Sequence, residues 1–137
     1  MEIDCMQQAQ DYRELILIDK KILIVEDDEV SAQYLMELLE DTQAELIHVF
    51  NGSDAISLIN EKIQFDLILM DIQLPDMNGW QVTKIVKKIN KNIPIIVQSA
   101  YAMETFRSKS EEAGCDYFIS KPVDSLLLFK YIKKSLK

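Results

Sequence analysis

The chain has 137 residues, with 15 basic against 23 acidic side chains and a net charge of −8. That length suits one domain with its own core, in no need of disulfides or structural metal, and the acidic balance argues against a nucleic-acid surface, which depends on clustered Lys and Arg. Cys5 and Cys115 lack metal-ligand or CxxC spacing, no apolar run reaches membrane-spanning length, and residues 1–10 lack the basic start and apolar core of a signal peptide. The expectation is a cytoplasmic protein, or a cytoplasmic piece of one, without membrane contact by this domain.

Residues 1–20 read as an N-terminal extension or linker. They are polar at Gln7, Gln8 and Gln10 and then apolar at Leu15-Ile16-Leu17-Ile18, a patch that reads equally as an extra strand, a helix end or the last turn of a linker. Residues 21–137 are regular, and the apolar periodicity predicts strands at 21–27, 45–49, 65–71, 94–99 and 116–120. Helices are predicted at about 29–41, 53–62, 79–90, 103–113 and 125–136. Five strands alternating with five helices imply parallel βαβ units with right-handed crossovers.

Apolar stripes of Val30, Tyr34, Leu35, Leu38 and Leu39, and of Leu126, Leu127, Phe129, Tyr131, Ile132 and Leu136, are expected to face the sheet. Asn51-Gly52 breaks the chain after the second strand, Ser53 is placed to cap the second helix, and Gly114 stands where a left-handed C-cap is expected. The lysines at 84, 87, 88 and 91 and at 130, 133, 134 and 137 read as solvated helix faces, or as a contact surface for an acidic partner.

Four polar groups stand at the ends of apolar runs: Glu26-Asp27-Asp28 after Ile22-Leu23-Ile24-Val25, Asp71 after Leu67-Ile68-Leu69-Met70, Ser99 after Ile95-Ile96-Val97-Gln98, and Lys121 after Tyr117-Phe118-Ile119-Ser120. Carboxyl ends of parallel strands are where open α/β sheets bind ligands. Adjacent carboxylates repel, and bringing Asp71 beside them in a partly desolvated pocket raises at least one pKa. A divalent cation relieves the conflict, and a few hard oxygen donors with room for water and phosphate suit Mg²⁺. Lys121 precedes Pro122, which restricts the backbone to an extended, turned or cis linkage and aims the ammonium at the carboxylates. Glu29 and Asp28 fit a structural part at a helix start. No base stands where it would make Ser99 a nucleophile, because the only histidine, His48, falls inside the second strand.

With these groups the chain resembles the receiver domain of two-component response regulators. The resemblance rests on Ile22-Leu23-Ile24-Val25-Glu26-Asp27-Asp28, on Met70-Asp71-Ile72-Gln73-Leu74-Pro75-Asp76-Met77-Asn78-Gly79, on Ile95-Ile96-Val97-Gln98-Ser99-Ala100-Tyr101-Ala102, and on Ala113-Gly114-Cys115-Asp116-Tyr117-Phe118-Ile119-Ser120-Lys121-Pro122. It implies an α/β, flavodoxin-like (CheY-like), doubly wound parallel sheet of order 2-1-3-4-5 with five helices. By the same resemblance Asp71 is the phosphoacceptor, taking a phosphoryl group from a histidine kinase or histidine phosphotransfer domain. Asp27, Asp71 and the backbone carbonyl of Gln73 would hold Mg²⁺, Glu26 would act through water, and Ser99 and Lys121 would contact phosphoryl oxygens. Ser99 and Phe118 would carry the switch to the face formed by the fourth helix, fifth strand and fifth helix. Gln73 and Tyr101 would set the lifetime of the acyl phosphate.

The chain departs from the pattern at Ser99, where Thr is commoner, and at Phe118, which often is Tyr and here lacks a phenolic hydroxyl. Two other readings stand beside the switch: a phosphorylation-deficient receiver acting as a binding module, and a phosphohydrolase of haloacid-dehalogenase type, disfavoured because Gln73 occupies the place of its second Asp. The chain itself is expected not to be an enzyme beyond self-phosphorylation and autodephosphorylation, and to be a monomer or weak dimer. The Gln98-Ser99-Ala100-Tyr101-Ala102 segment and the polar N-terminal stretch resemble the C-terminal receiver of a hybrid sensor histidine kinase.

Overall fold

The computed structural model describes residues 15–100 and 104–136. In chain order they form β1 (Lys21–Val25), α1 (Glu29–Glu40), β2 (Glu45–Val49), α2 (Gly52–Asn60), β3 (Leu67–Asp71), α3 (Gly79–Ile89), β4 (Ile95–Ser99), α4 (Glu104–Ala113), β5 (Tyr117–Ser120) and α5 (Ser125–Ser135). All neighbouring strands pair in parallel, in the order β2-β1-β3-β4-β5. The expected flavodoxin-like topology is therefore the one observed.

The sheet separates two cores because side chains alternate along each strand. Ile22, Ile24, Leu67, Leu69, Ile96 and Ile119 point to the face covered by α1 and α5, where they meet Leu35, Leu39, Leu128, Phe129 and Ile132. Leu23, Val25, Ile68, Met70, Ile95 and Val97 point to the other face and meet Ala55, Ile59, Val82 and Val86 of α2 and α3. Burying each of these Val, Leu, Ile, Met and Phe side chains favours folding by about 1.5–3 kcal/mol. No helix among the described residues is long and apolar enough to cross a membrane.

Two expected stripes need correction. The buried residues of α1 are Ala32, Leu35 and Leu39, while Val30 and Tyr34 are 77% and 45% exposed. They share a helix face one turn apart, and the Tyr34 hydroxyl donates to the Val123 carbonyl at 3.1 Å. Leu126, in the first turn of α5, is likewise exposed, and the buried face runs through Leu128, Phe129 and Ile132.

Capping also differs at α2. Asn51, not Ser53, is the N-cap, its side chain accepting from the Asp54 amide, and the Ser53 amide and hydroxyl donate instead to Asp76. Gly114 holds φ +95, as expected of a left-handed C-cap. β1 ends at Val25 rather than at 27, because the Glu26 carboxylate accepts from the Asp28 amide and Asp28 caps α1, turning the chain out of the strand. The apolar patch before β1 forms neither strand nor helix. Leu17 is buried against the α1 and α5 side, and its amide donates to the Thr42 carbonyl at 2.6 Å. Most lysines of the two basic runs are exposed, but Lys87 is half-buried, 2.9 Å from Asp116 and donating to the Ile93 carbonyl. Cys5 lies outside the described residues. The Cys115 thiol is half-buried, and burial pushes its pKa up to about 12.

Candidate functional site

Strand order reverses at β1 and β3, where consecutive connections leave for opposite faces of the sheet and open a crevice at the carboxyl strand ends. The groups singled out from the sequence meet there. Glu26 and Asp27 follow β1, Asp71 and Ser99 are the last residues of β3 and β4, and Lys121 follows β5. The Lys121 ammonium lies 3.0 Å from Glu26 Oε2 and 3.3 Å from Asp71 Oδ1. Carboxylate oxygens of Glu26, Asp27 and Asp71 all fall within 4.8 Å of one another. Glu26, Asp71 and Ser99 are buried, whereas Asp27 is exposed to solvent.

Local structure fixes each of these groups. The Glu26 carbonyl accepts from His48 Nε2 at 2.7 Å, so the strand histidine is tied to the loop that carries the acidic run. The Gly79 amide donates to the Ile72 carbonyl, and a Cβ at 79 would come within 2.3 Å of the Asp71 carbonyl oxygen, so the β3–α3 connection passes this close only with glycine. The α3 N-terminus is closed by a capping box of Asn78 and Gln81. The Lys121 amide donates to the Ser99 carbonyl at 2.7 Å, joining the ends of β4 and β5, and the Lys121–Pro122 peptide is cis.

The electrostatics follow from burial. Desolvation, reinforced by the charge of Asp71, pushes the Glu26 pKa up to about 7, and desolvation likewise raises Asp71. Burial works against the Lys121 charge, but its hydrogen bond to Glu26 and the negative charges of Asp71 and Glu26 outweigh that and hold its pKa above the usual value. The donor set is three hard carboxylates, two of them destabilised as anions by burial. Such a set fits a small hard cation.

The response regulator receiver domain family model matches residues 22–133. The chain belongs to this family. The receiver is 38% identical over 119 residues to the polar-differentiation response regulator DivK of Brucella anthropi, an alignment covering 85% of this chain and 96% of that protein. Among solved structures it resembles a CheY-like receiver domain protein from Methanospirillum hungatei, with a TM-score of 0.79, 32% identity and coverage of 85% and 93% of the two chains. A receiver domain of a signal transduction histidine kinase from Syntrophus aciditrophicus gives a TM-score of 0.78 at 32% identity, covering 85% of this chain and 89% of that one. With this membership the phosphohydrolase alternative falls away.

In this receiver Gln73 is exposed just past Asp71, in the loop closed by a bridge between Gln73 and Asn78. Phe118 is half-buried against the core under α2 and α3. Tyr101 lies outside the described residues. Sequence reasoning missed three supports of the site. Asp76 accepts from the amides of Gly52 and Ser53 and from the Ser53 hydroxyl, and those bonds lower its pKa to about 2. The other two are Gly79 and the Tyr34 bond to Val123. Asp76 and Gly79 both stand in the motif at 70–79, but neither was given a role there, although Asp76 beside Pro75 in a loop of turn-forming residues was a signal.

Proposed function

We propose that this receiver is a phosphoacceptor switch in a two-component phosphorelay, with Asp71 as the acceptor. The observation that supports it best is the Lys121 ammonium held between Glu26 and Asp71, with Asp27 completing the carboxylate cluster. An Asp71 carboxylate oxygen forms the new O–P bond as the N–P bond of a partner phosphohistidine breaks, and the leaving imidazole keeps that electron pair. Lys121 and the Ser99 hydroxyl then hold phosphoryl oxygens, and the transfer depends on alignment and charge neutralisation more than on covalent help. Asp27, Asp71 and the Gln73 carbonyl would hold Mg²⁺, with Glu26 acting through water. When bound, the ion offsets negative charge that Lys121 alone does not.

The charge added at Asp71 draws Ser99 inward and shifts α4, β5 and α5, with Phe118 as the moving ring. Val30 and Tyr34, exposed on α1, offer the partner kinase or phosphotransfer domain an apolar contact. By the family resemblance Gln73 and Tyr101 would set the lifetime of the acyl phosphate, and Tyr101→Ala should shed phosphate faster. We read residues 1–20 as an extension or linker, residues 21–137 as the receiver, and its location as the cytoplasm. The Gln98–Ala102 run and the likeness to a histidine-kinase receiver support a hybrid kinase as the parent; a gene encoding no kinase core overturns that.

Incubation with Mg²⁺ and acetyl phosphate, followed by intact mass, tests the assignment. A gain of one phosphoryl group, absent in Asp71→Asn and without Mg²⁺, is expected. An unmodified wild-type chain points to a binding module instead.

A further inference from the structure

A groove of about 680 Å³ runs between α1 and the edge strand β2. Its floor is apolar, made of Ala32, Met36, Leu46 and Phe50, and the acidic residues Glu29, Glu37 and Glu40 line it from α1 and its end. No Lys or Arg lines it. β2 pairs only with β1, and Phe50 at its end is 45% exposed, so a large ring stands beside an open sheet edge. His48 also lines the groove, its ring 4.2 Å from that of Phe50, and its Nε2 donates to the Glu26 carbonyl. That bond ties the groove wall to the backbone of Glu26, whose amide is also held by the Val49 carbonyl of β2 at 3.1 Å.

We propose that this groove docks a basic amphipathic segment of a partner protein and that the docked segment acts on the carboxylate cluster through His48. Charge complementarity selects the occupant: apolar side chains enter the floor between Met36 and Leu46 while Lys or Arg side chains meet Glu29, Glu37 and Glu40. The chain's own residues 1–14 carry Glu2, Asp4, Asp11 and Glu14 against Arg13 alone. A second copy brings a net charge of −8. Both would approach the rim with like charge. Pressure on His48 and Phe50 moves the Glu26 carbonyl, and with it the backbone leading into Asp27. Docking of this kind does not depend on Asp71 accepting phosphate.

The test is a titration of the full-length, isotope-labelled chain with a synthetic amphipathic leucine–lysine peptide of about 18 residues, long enough for five helical turns. Amide shifts are expected at Met36, Leu46, His48 and Phe50, accompanied by shifts at Glu26 and Asp27. Reversing Glu37→Lys and Glu40→Lys together should weaken binding about tenfold, whereas the matched reversals Glu61→Lys and Glu112→Lys change it by less than about twofold. Equal losses in the two pairs would mean nonspecific charge attraction and overturn the site. Contacts between residues 1–14 and Phe50 before peptide is added, or concentration-dependent shifts along the groove, would assign it to the chain itself or to a second copy. For the coupling, His48→Leu should keep the rim shifts and lose those at Glu26 and Asp27, and His48→Gln, which retains an N–H donor, should restore them. Unchanged Glu26 and Asp27 shifts in His48→Leu would sink the relay.

Discussion

The Lys121 ammonium lies 3.0 Å from a Glu26 carboxylate that is fully shielded from solvent. Two oppositely charged groups at that spacing do not cancel the cost of burying a second carboxylate, that of Asp71, beside them. The site is consequently strained toward protonation or toward a cation, and its pH behaviour follows.

Glu26 has its folded-state pKa raised to about 7 from 4.5. Between those values the folded chain binds more protons than the unfolded one, so its contribution favours folding at low pH and is lost as pH rises through about 7. Melting temperatures from pH 5 to 8 should therefore fall relative to those of Glu26→Gln, and Mg²⁺ should recover the difference at pH 8. Parallel curves for the two proteins in metal-free buffer would contradict this.

Removing the cation from the cluster leaves the carboxylates facing one another. Lys121→Met should slow phosphorylation by acetyl phosphate ~10²-fold, the usual scale for losing one preorganised charge partner of a transferring group. Intact mass against time reads the rate. A wild-type rate would remove Lys121 from the phosphate contacts.

Gly79 and Gly114 make a matched pair of probes. Gly79→Ala drives a methyl into the Asp71 carbonyl and should cost about 1–3 kcal/mol in urea unfolding, with a drop in phosphoryl uptake. Gly114→Ala forces a side chain onto φ +95 and should cost about 1 kcal/mol, with uptake unchanged because the residue lies outside the site.

Asp76 titrates in the opposite sense to Glu26. Its folded-state pKa is lowered from 3.8 to about 2, so the support it gives is present above 3.8 and disappears as pH falls toward about 2. Asp76→Asn should be less stable than wild type at pH 7, and the two melting curves should converge by about pH 2. A constant gap across that range would mean that the loss comes from packing rather than from the charge.

Trp80, the chain's only tryptophan, packs 5.1 Å from Phe106, donates to the Ser110 hydroxyl at 2.8 Å and lies under the Lys109 ammonium. Its ring therefore reports the seam between α3 and α4. Phosphorylation should change its emission, and Asp71→Asn should show no change on adding acetyl phosphate. A silent tryptophan in a chain shown by mass to be phosphorylated would argue that α4 stays in place.

Strand identity was legible because β1, β3 and β4 are buried on both faces, so each appears as an unbroken apolar run ending in a polar group. Glu26, Asp71, Ser99 and Lys121 could be placed together for the same reason. What escaped depends on contacts between distant segments. The spacing of Val30 and Tyr34 fits an apolar stripe, yet which side of α1 meets the sheet is settled by Leu35 and Leu39 against the strands. The transfer of the α2 cap from Ser53 to Asn51 reflects Asp76, more than twenty positions on, claiming the serine. Gly79 reads as a helix start until the carbonyl of Asp71 is seen behind it.

The bond from the Lys121 amide to the Ser99 carbonyl makes one rigid unit of two residues that would grip the same group from adjacent strands. Neither has to be brought to the other when an anion arrives, so the ordering entropy of the grip is already spent during folding. A displacement of the Ser99 backbone is then passed directly to Lys121, so a shift at the end of the fourth strand does not stay there but reaches the end of the fifth.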